Sequence, residues 1–101
     1  MVFFLEVLTT RVEKKEVKDL EFIEKTEKSD RAVVVRKLLS RAIKEWKTDF
    51  ALNELRNHKI SLRKAASLAG VSYIEMLDLS SKKNIDIGYS LKDLEEDFKK
   101  L

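Results

Sequence analysis

Ser61-Leu-Arg-Lys-Ala-Ala-Ser-Leu-Ala-Gly-Val-Ser-Tyr-Ile-Glu-Met76 reads as two short helices joined by a tight turn. Ala65, Ala66 and Ala69 are small enough to let the first helix approach a neighbour closely. Gly70 suits the left-handed position of the turn, because it has no Cβ to clash there. Val71 plugs the corner. Ser72 has the side chain of an N-cap, and Glu75 three residues on fits a capping box. Ile74 and Leu77 are then expected to face inward. Ser72, Tyr73, Glu75 and Asp78 would be the exposed positions of the second helix. This is the helix-turn-helix arrangement, which serves both DNA readers and plain packing units.

Working outward, the composition limits the class. The chain has 101 residues, 44% hydrophobic and 39% charged, with two Gly and no Pro. That is one domain or two very small ones, largely helical and globular rather than disordered. With no Cys there is no disulfide, no thiolate nucleophile and no Cys-ligated zinc, which suits a reducing cytoplasm. No segment is long and apolar enough to span a bilayer, so no membrane role is expected. The apolar start, Val2-Phe3-Phe4-Leu5, lacks the basic segment and cleavage site of a signal peptide. The net charge of +3, from 21 basic and 18 acidic residues, permits nucleic-acid contact without demanding it.

The expected organisation has two halves, residues 1–47 and 48–101. In the first, residues 2–12 are rich in β-branched and aromatic types and form a strand candidate. Period-two alternation puts Leu8, Thr10 and Val12 on one face and Val7, Thr9 and Arg11 on the other. A helix is expected from about Glu13 to Lys28, with Val17, Leu20 and Ile23 on one side. Ser29 and Asp30 then break and cap. A second helix carries Val34, Val35, Leu38, Leu39, Ala42, Ile43 and Trp46 on a broad apolar stripe.

One strand and two helices in under 50 residues cannot close a core alone, and a lone strand leaves an unpaired edge. Both problems vanish if two chains pair their strands antiparallel and interlock their helices as a homodimer. That is the ribbon-helix-helix class, whose two-stranded ribbon enters the major groove of DNA. Thr9-Thr10-Arg11-Val12 before the first helix resembles its pattern, as does Ser29-Asp30-Arg31-Ala32-Val33-Val34-Val35-Arg36-Lys37-Leu38-Leu39. The resemblance implies that Thr9 and Arg11 project toward base edges, with Val7 at the next outward position. Val7 departs from the more usual polar residue there. It also implies a phosphate held by backbone amides at the Ser29 to Arg31 helix start. Asp30 opposes that anion and Arg31 offsets the repulsion.

In the second half the chain stays helical past Lys47, with Phe50, Ala51, Leu52 and Leu55 apolar. No Gly or Pro separates one helix from two over residues 30–57. His58 is the only histidine and has no neighbouring ligand or catalytic partner in sequence; a surface loop role is expected. Glu75 and Asp78 oppose a phosphate-lined groove, so the 61–76 pair reads as a packing or partner-binding unit. If DNA touches it, Arg63 and Lys64 are the candidates. Beyond Gly88, Ser90 and Asp93 fit another capping box. Leu91, Leu94, Phe98 and Leu101 then share a helical face, which docks on its own subunit or in a groove of another protein.

Residues 29–97 resemble a small prokaryotic, often archaeal, family of antitoxin-like proteins. The resemblance rests on Lys59-Ile-Ser-Leu-Arg-Lys-Ala-Ala-Ser-Leu-Ala-Gly-Val-Ser72, then Met76-Leu77, then Ile87-Gly-Tyr-Ser-Leu-Lys-Asp-Leu-Glu-Glu-Asp97. It implies an antitoxin paired with a protein toxin, a PIN-type ribonuclease. The dimeric ribbon half would repress its own promoter, and the other half would cover the toxin's acidic metal site. Tyr89, Leu91, Leu94 and Phe98 are the partner-binding candidates. A non-enzymatic protein-interaction module of the same fold, without DNA binding, is the alternative. No catalytic residue, metal site or cofactor is expected, since there is one His, no Cys and no Gly-rich phosphate loop. The expected fold is mainly α: ribbon-helix-helix, then a helical half with a helix-turn-helix-like pair.

Overall fold

The computed structural model describes residues 5–87, which are mainly helical. Four helices follow in order: α1, Lys14–Glu27; α2, Arg31–Arg56; α3, Leu62–Ala69; α4, Tyr73–Lys82. The chain divides into two compact units, Met1–Leu39 and Ser40–Leu101. The division falls inside α2.

In the first unit, residues 5–13 form neither helix nor strand, and residues 5–12 are exposed. A strand is defined by its ladder, and the single chain has no second strand to pair with among the described residues. The sequence reading of α1 holds to within a residue. Glu13 caps it in a reciprocal box with Glu16, which the sequence reading missed because Glu is an unusual N-cap. The helix stops at Lys28, which adopts the left-handed conformation (φ 52°) while the Ser29 N–H donates back to the Glu24 carbonyl. Asp30 then starts α2, its carboxylate accepting from the Val33 N–H at 3.0 Å. Arg31 reaches back to Glu24 (3.2 Å) and Glu21 (3.7 Å), and Lys37 to Glu27 (3.1 Å). Val34 is the one described residue of this unit that is fully buried.

The choice between one and two helices over residues 30–57 falls to one, 26 residues long. At 1.5 Å per residue it is about 39 Å from end to end. Nothing between Arg31 and Arg56 interrupts the amide ladder, as there is no Gly or Pro. His58 ends the run in the left-handed region (φ 56°). The broad stripe expected on α2 is largely uncovered: Val34 is buried and Leu38 half-buried, but Val35, Leu39, Ala42, Ile43 and Trp46 are exposed.

The second unit holds the core. Ala51, Leu52 and Leu55 of α2 share it with Leu62, Ala65, Ala66 and Ala69 of α3, Tyr73 and Met76 of α4, and Ile85. Ser61 caps α3 by accepting from the Lys64 N–H, and Ser72 caps α4 by accepting from the Glu75 N–H, each at 3.1 Å. Gly70 sits at φ +71° between them. After α4, Asn84 turns left-handed (φ 54°) and the Ile85 N–H donates to the Ser80 carbonyl at 2.9 Å. That closure sets Ile85 into the core and Ile87 against it.

The phase of α4 differs from the sequence reading. Ile74 is 60% exposed rather than inward, and Tyr73 is buried rather than presented to solvent. The buried face runs through Tyr73, Met76 and Ser80, at i, i+3 and i+7. Ser80 hid it: a hydroxyl marks a polar face in sequence, yet this one donates to the Leu77 carbonyl (2.8 Å) and is satisfied inside the core.

Candidate functional site

The amino-terminal candidates start from the backbone that carries them. Val7, Thr9 and Arg11 lie on the exposed segment before α1, with no secondary structure of its own in the single chain. Val7 and Leu8 are among the most exposed large apolar side chains of the described chain. Leu8, Thr9, Arg11 and Val12 are all exposed on this segment.

Ser29 and Arg31 stand at the α1–α2 corner, where two backbone N–H groups are already committed. The Ser29 N–H closes α1, and the Val33 N–H takes the Asp30 carboxylate. The Arg31 guanidinium lies against two carboxylates of α1. The corner is therefore built as a brace between two helices, with Arg31 still half-exposed and its charge locally balanced.

In the second unit, Arg63 and Lys64 are exposed in the first turn of α3, which contains no acidic residue. The Arg63 guanidinium carbon lies 5.3 Å from the centroid of the Tyr73 ring, so the α3–turn–α4 pair is tied across its own turn. Glu75 and Asp78 are exposed on α4, and Asp78 pairs with Lys82 at 2.9 Å. Tyr89, Leu91, Leu94 and Phe98, with the helix expected around them, lie outside the described residues. His58 is exposed. Among the described residues no cluster of His, Cys, Asp and Glu is placed to hold a metal ion.

Sequence reading missed two open clefts of the second unit. Arg41, Lys44 and Asp49 of α2 face Val71, Glu75 and Leu79 around a space of about 520 Å³. Ile43, Lys44 and Lys47 face Leu68, Ala69 and Gly70 around about 430 Å³. Their only sequence signal is the charged i, i+3, i+4 run along α2, which also describes any solvated helix face. Neither contains a buried catalytic group. No described helix is long and apolar enough to cross a membrane.

The described chain is thus small and mainly helical. Its residues 28–101 match an uncharacterised protein family, UPF0175, and the chain belongs to it. No curated protein and no solved structure matches the chain.

Proposed function

We propose that this chain is a homodimeric DNA-binding repressor of the antitoxin type, acting in the cytoplasm without cofactor or catalysis. The observation that carries the reading is the uncovered apolar surface of the first unit. Leu5, Leu8, Val12, Phe22, Val33, Val35 and Leu39 are exposed there, against one fully buried residue among those described, Val34. So many exposed large apolar side chains beside so little buried surface fit a unit that is completed by a partner. A second copy that adds its strand to residues 5–12 would cover Leu8 and Val12 and turn Val7, Thr9 and Arg11 outward as a ribbon.

The antitoxin part rests on the family resemblance of residues 29–97. A protein toxin, a PIN-type ribonuclease, is the partner that resemblance implies. Arg63 and Lys64 supply the exposed positive charge of α3 for either ligand.

The test is a titration of the chain against its own upstream DNA and a scrambled duplex, at low and moderate salt, beside Thr9→Ala/Arg11→Ala. Preferential binding that is lost in the double variant supports the reading. Equal, salt-fragile binding to both duplexes, or none, moves the function to the second reading, a protein-interaction module without DNA binding. Specific residues favour that second reading: apolar Val7 on the outward face, and the acidic groups Asp30, Glu75 and Asp78.

A further inference from the structure

In the second unit, α2 has two apolar faces. Ala51, Leu52 and Leu55 point into the core shared with α3 and α4. Ile43, Trp46 and Phe50 lie on another side of the helix and stay 47%, 65% and 42% exposed. The Trp46 and Phe50 rings are stacked, 5.2 Å between centroids and 7° from parallel, so this face is already a flat apolar platform.

The spacing of these three residues, first three then four, is that of a helix seam. Such a seam packs its side chains into the gaps of another helix with the same spacing. In this unit α3 and α4 direct their apolar residues to the core, apart from Ile74. We propose that the occupant is the same stretch of α2 in a second copy of the chain, running antiparallel across a two-fold axis.

The flanking charges select the register. With Ile43 opposite Trp46 of the other copy, Lys47 falls beside Ser40 and Asp49 beside Ala42 across the seam, and no like charges meet. Moved on so that Trp46 faces Phe50, the helices would set Lys47 against Lys47 and Asp49 against Asp49. A parallel pairing in register would bring Asp49 next to Glu54. Like charges held this close oppose association, and the first register avoids them.

Area says what this seam does alone. Large side chains bury roughly 150–250 Å² each, so the exposed parts of three amount to roughly 300 Å² per copy, about half of what a stable interface needs. The seam is therefore one part of a larger two-copy contact, and it rests on the homodimer proposed above. It is separable from that reading, since ribbon pairing involves only the first unit.

Trp46 is the only tryptophan and the chain has no cysteine, so the whole protein reports on itself. The experiment follows Trp46 emission and sedimentation equilibrium across a dilution series, for the parent chain and for Trp46→Lys and Phe50→Lys. Disulfide formation is followed in Ser40→Cys/Lys47→Cys and in Lys47→Cys alone. We expect Trp46 emission to move to shorter wavelength as dimer forms. Each lysine variant should self-associate about thirtyfold more weakly, the loss typical of one central aromatic contact. The double cysteine chain should cross-link and Lys47→Cys alone should not. A dimer that survives both lysine variants while Trp46 stays solvent-exposed would overturn the seam and leave the ribbon dimer standing. A chain that stays monomeric at every concentration would overturn both. Efficient self-cross-linking of Lys47→Cys alone would overturn the register.

Discussion

Arg63 of α3 and Tyr73 of α4 face each other across the Gly70 turn, the guanidinium carbon 5.3 Å from the ring centroid. The contact joins two helices of only eight and ten residues. Helices so short are not stable alone, so their hold on one another is tertiary. Replacing Arg63 with Ala should lower the unfolding free energy by about 0.5–1 kcal/mol, the range for a cation–π contact at an exposed site. Urea denaturation of Arg63→Ala beside Arg63→Lys checks this. Equal loss in both variants would mean that a cation as such does not account for the stabilisation.

Met76→Ala and Ile74→Ala test the phase of α4. Met76 is fully buried, so its truncation should cost about 2–5 kcal/mol through lost burial and the cavity left behind. Ile74 is mostly exposed, and its truncation should stay within about 0.5 kcal/mol. Thermal or urea unfolding of the two variants separates the outcomes clearly. The reverse order would return Ile74 to the core.

That pair also marks how far the residues disclose the fold. The α3–turn–α4 arrangement was legible because Ser61-to-Met76 carries chemistry that acts locally: small side chains, a left-handed Gly70 and a hydroxyl at Ser72. The continuity of α2 was not legible, because no local signal at Lys47 or Thr48 separates a continuing helix from a restarted one. The inner face of α4 was misread since Ser80 satisfies its hydroxyl within one turn and so behaves as a core residue. The exposure of Trp46 was invisible for another reason: apolar periodicity records that a face is to be covered, and not by which chain.

Gly70→Ala isolates a backbone effect. A Cβ at this position would meet nothing within 4 Å, so no packing clash enters. The φ of +71° alone opposes it, and the left-handed conformation costs a side-chain-bearing residue about 1–2 kcal/mol. Gly70→Asn should lose less, because Asn tolerates that region better. Equilibrium unfolding of the two variants should rank parent, Asn, then Ala.

Ser61→Ala and Ser72→Ala each remove one accepting hydroxyl from the start of a short helix. Each should destabilise the second unit by about 1 kcal/mol. Ser61→Asp and Ser72→Asp should retain the stability, since a carboxylate caps as well and also suits the positive helix end. Amide hydrogen exchange in α3 and α4 localises the effect: faster exchange confined to the truncated helix is the expected pattern.

Arg31 and Arg11 separate two uses of positive charge. Arg31 is held 3.2 Å from Glu24 and 3.7 Å from Glu21, so its charge is already balanced by carboxylates at the α1–α2 corner. Arg11 lies on the exposed segment before α1, and no carboxylate pairs with it among the described residues. Each protein cation that neutralises a phosphate makes the fall of log affinity with log salt steeper by about one. On the DNA-binding reading, Arg11→Ala should reduce that slope by about one while Arg31→Ala leaves it nearly unchanged. The salt series on upstream DNA measures both. A full unit lost in Arg31→Ala would show that DNA draws this guanidinium away from Glu21 and Glu24. The corner would then be a phosphate clamp that opens on binding, and the brace between α1 and α2 would loosen in the complex.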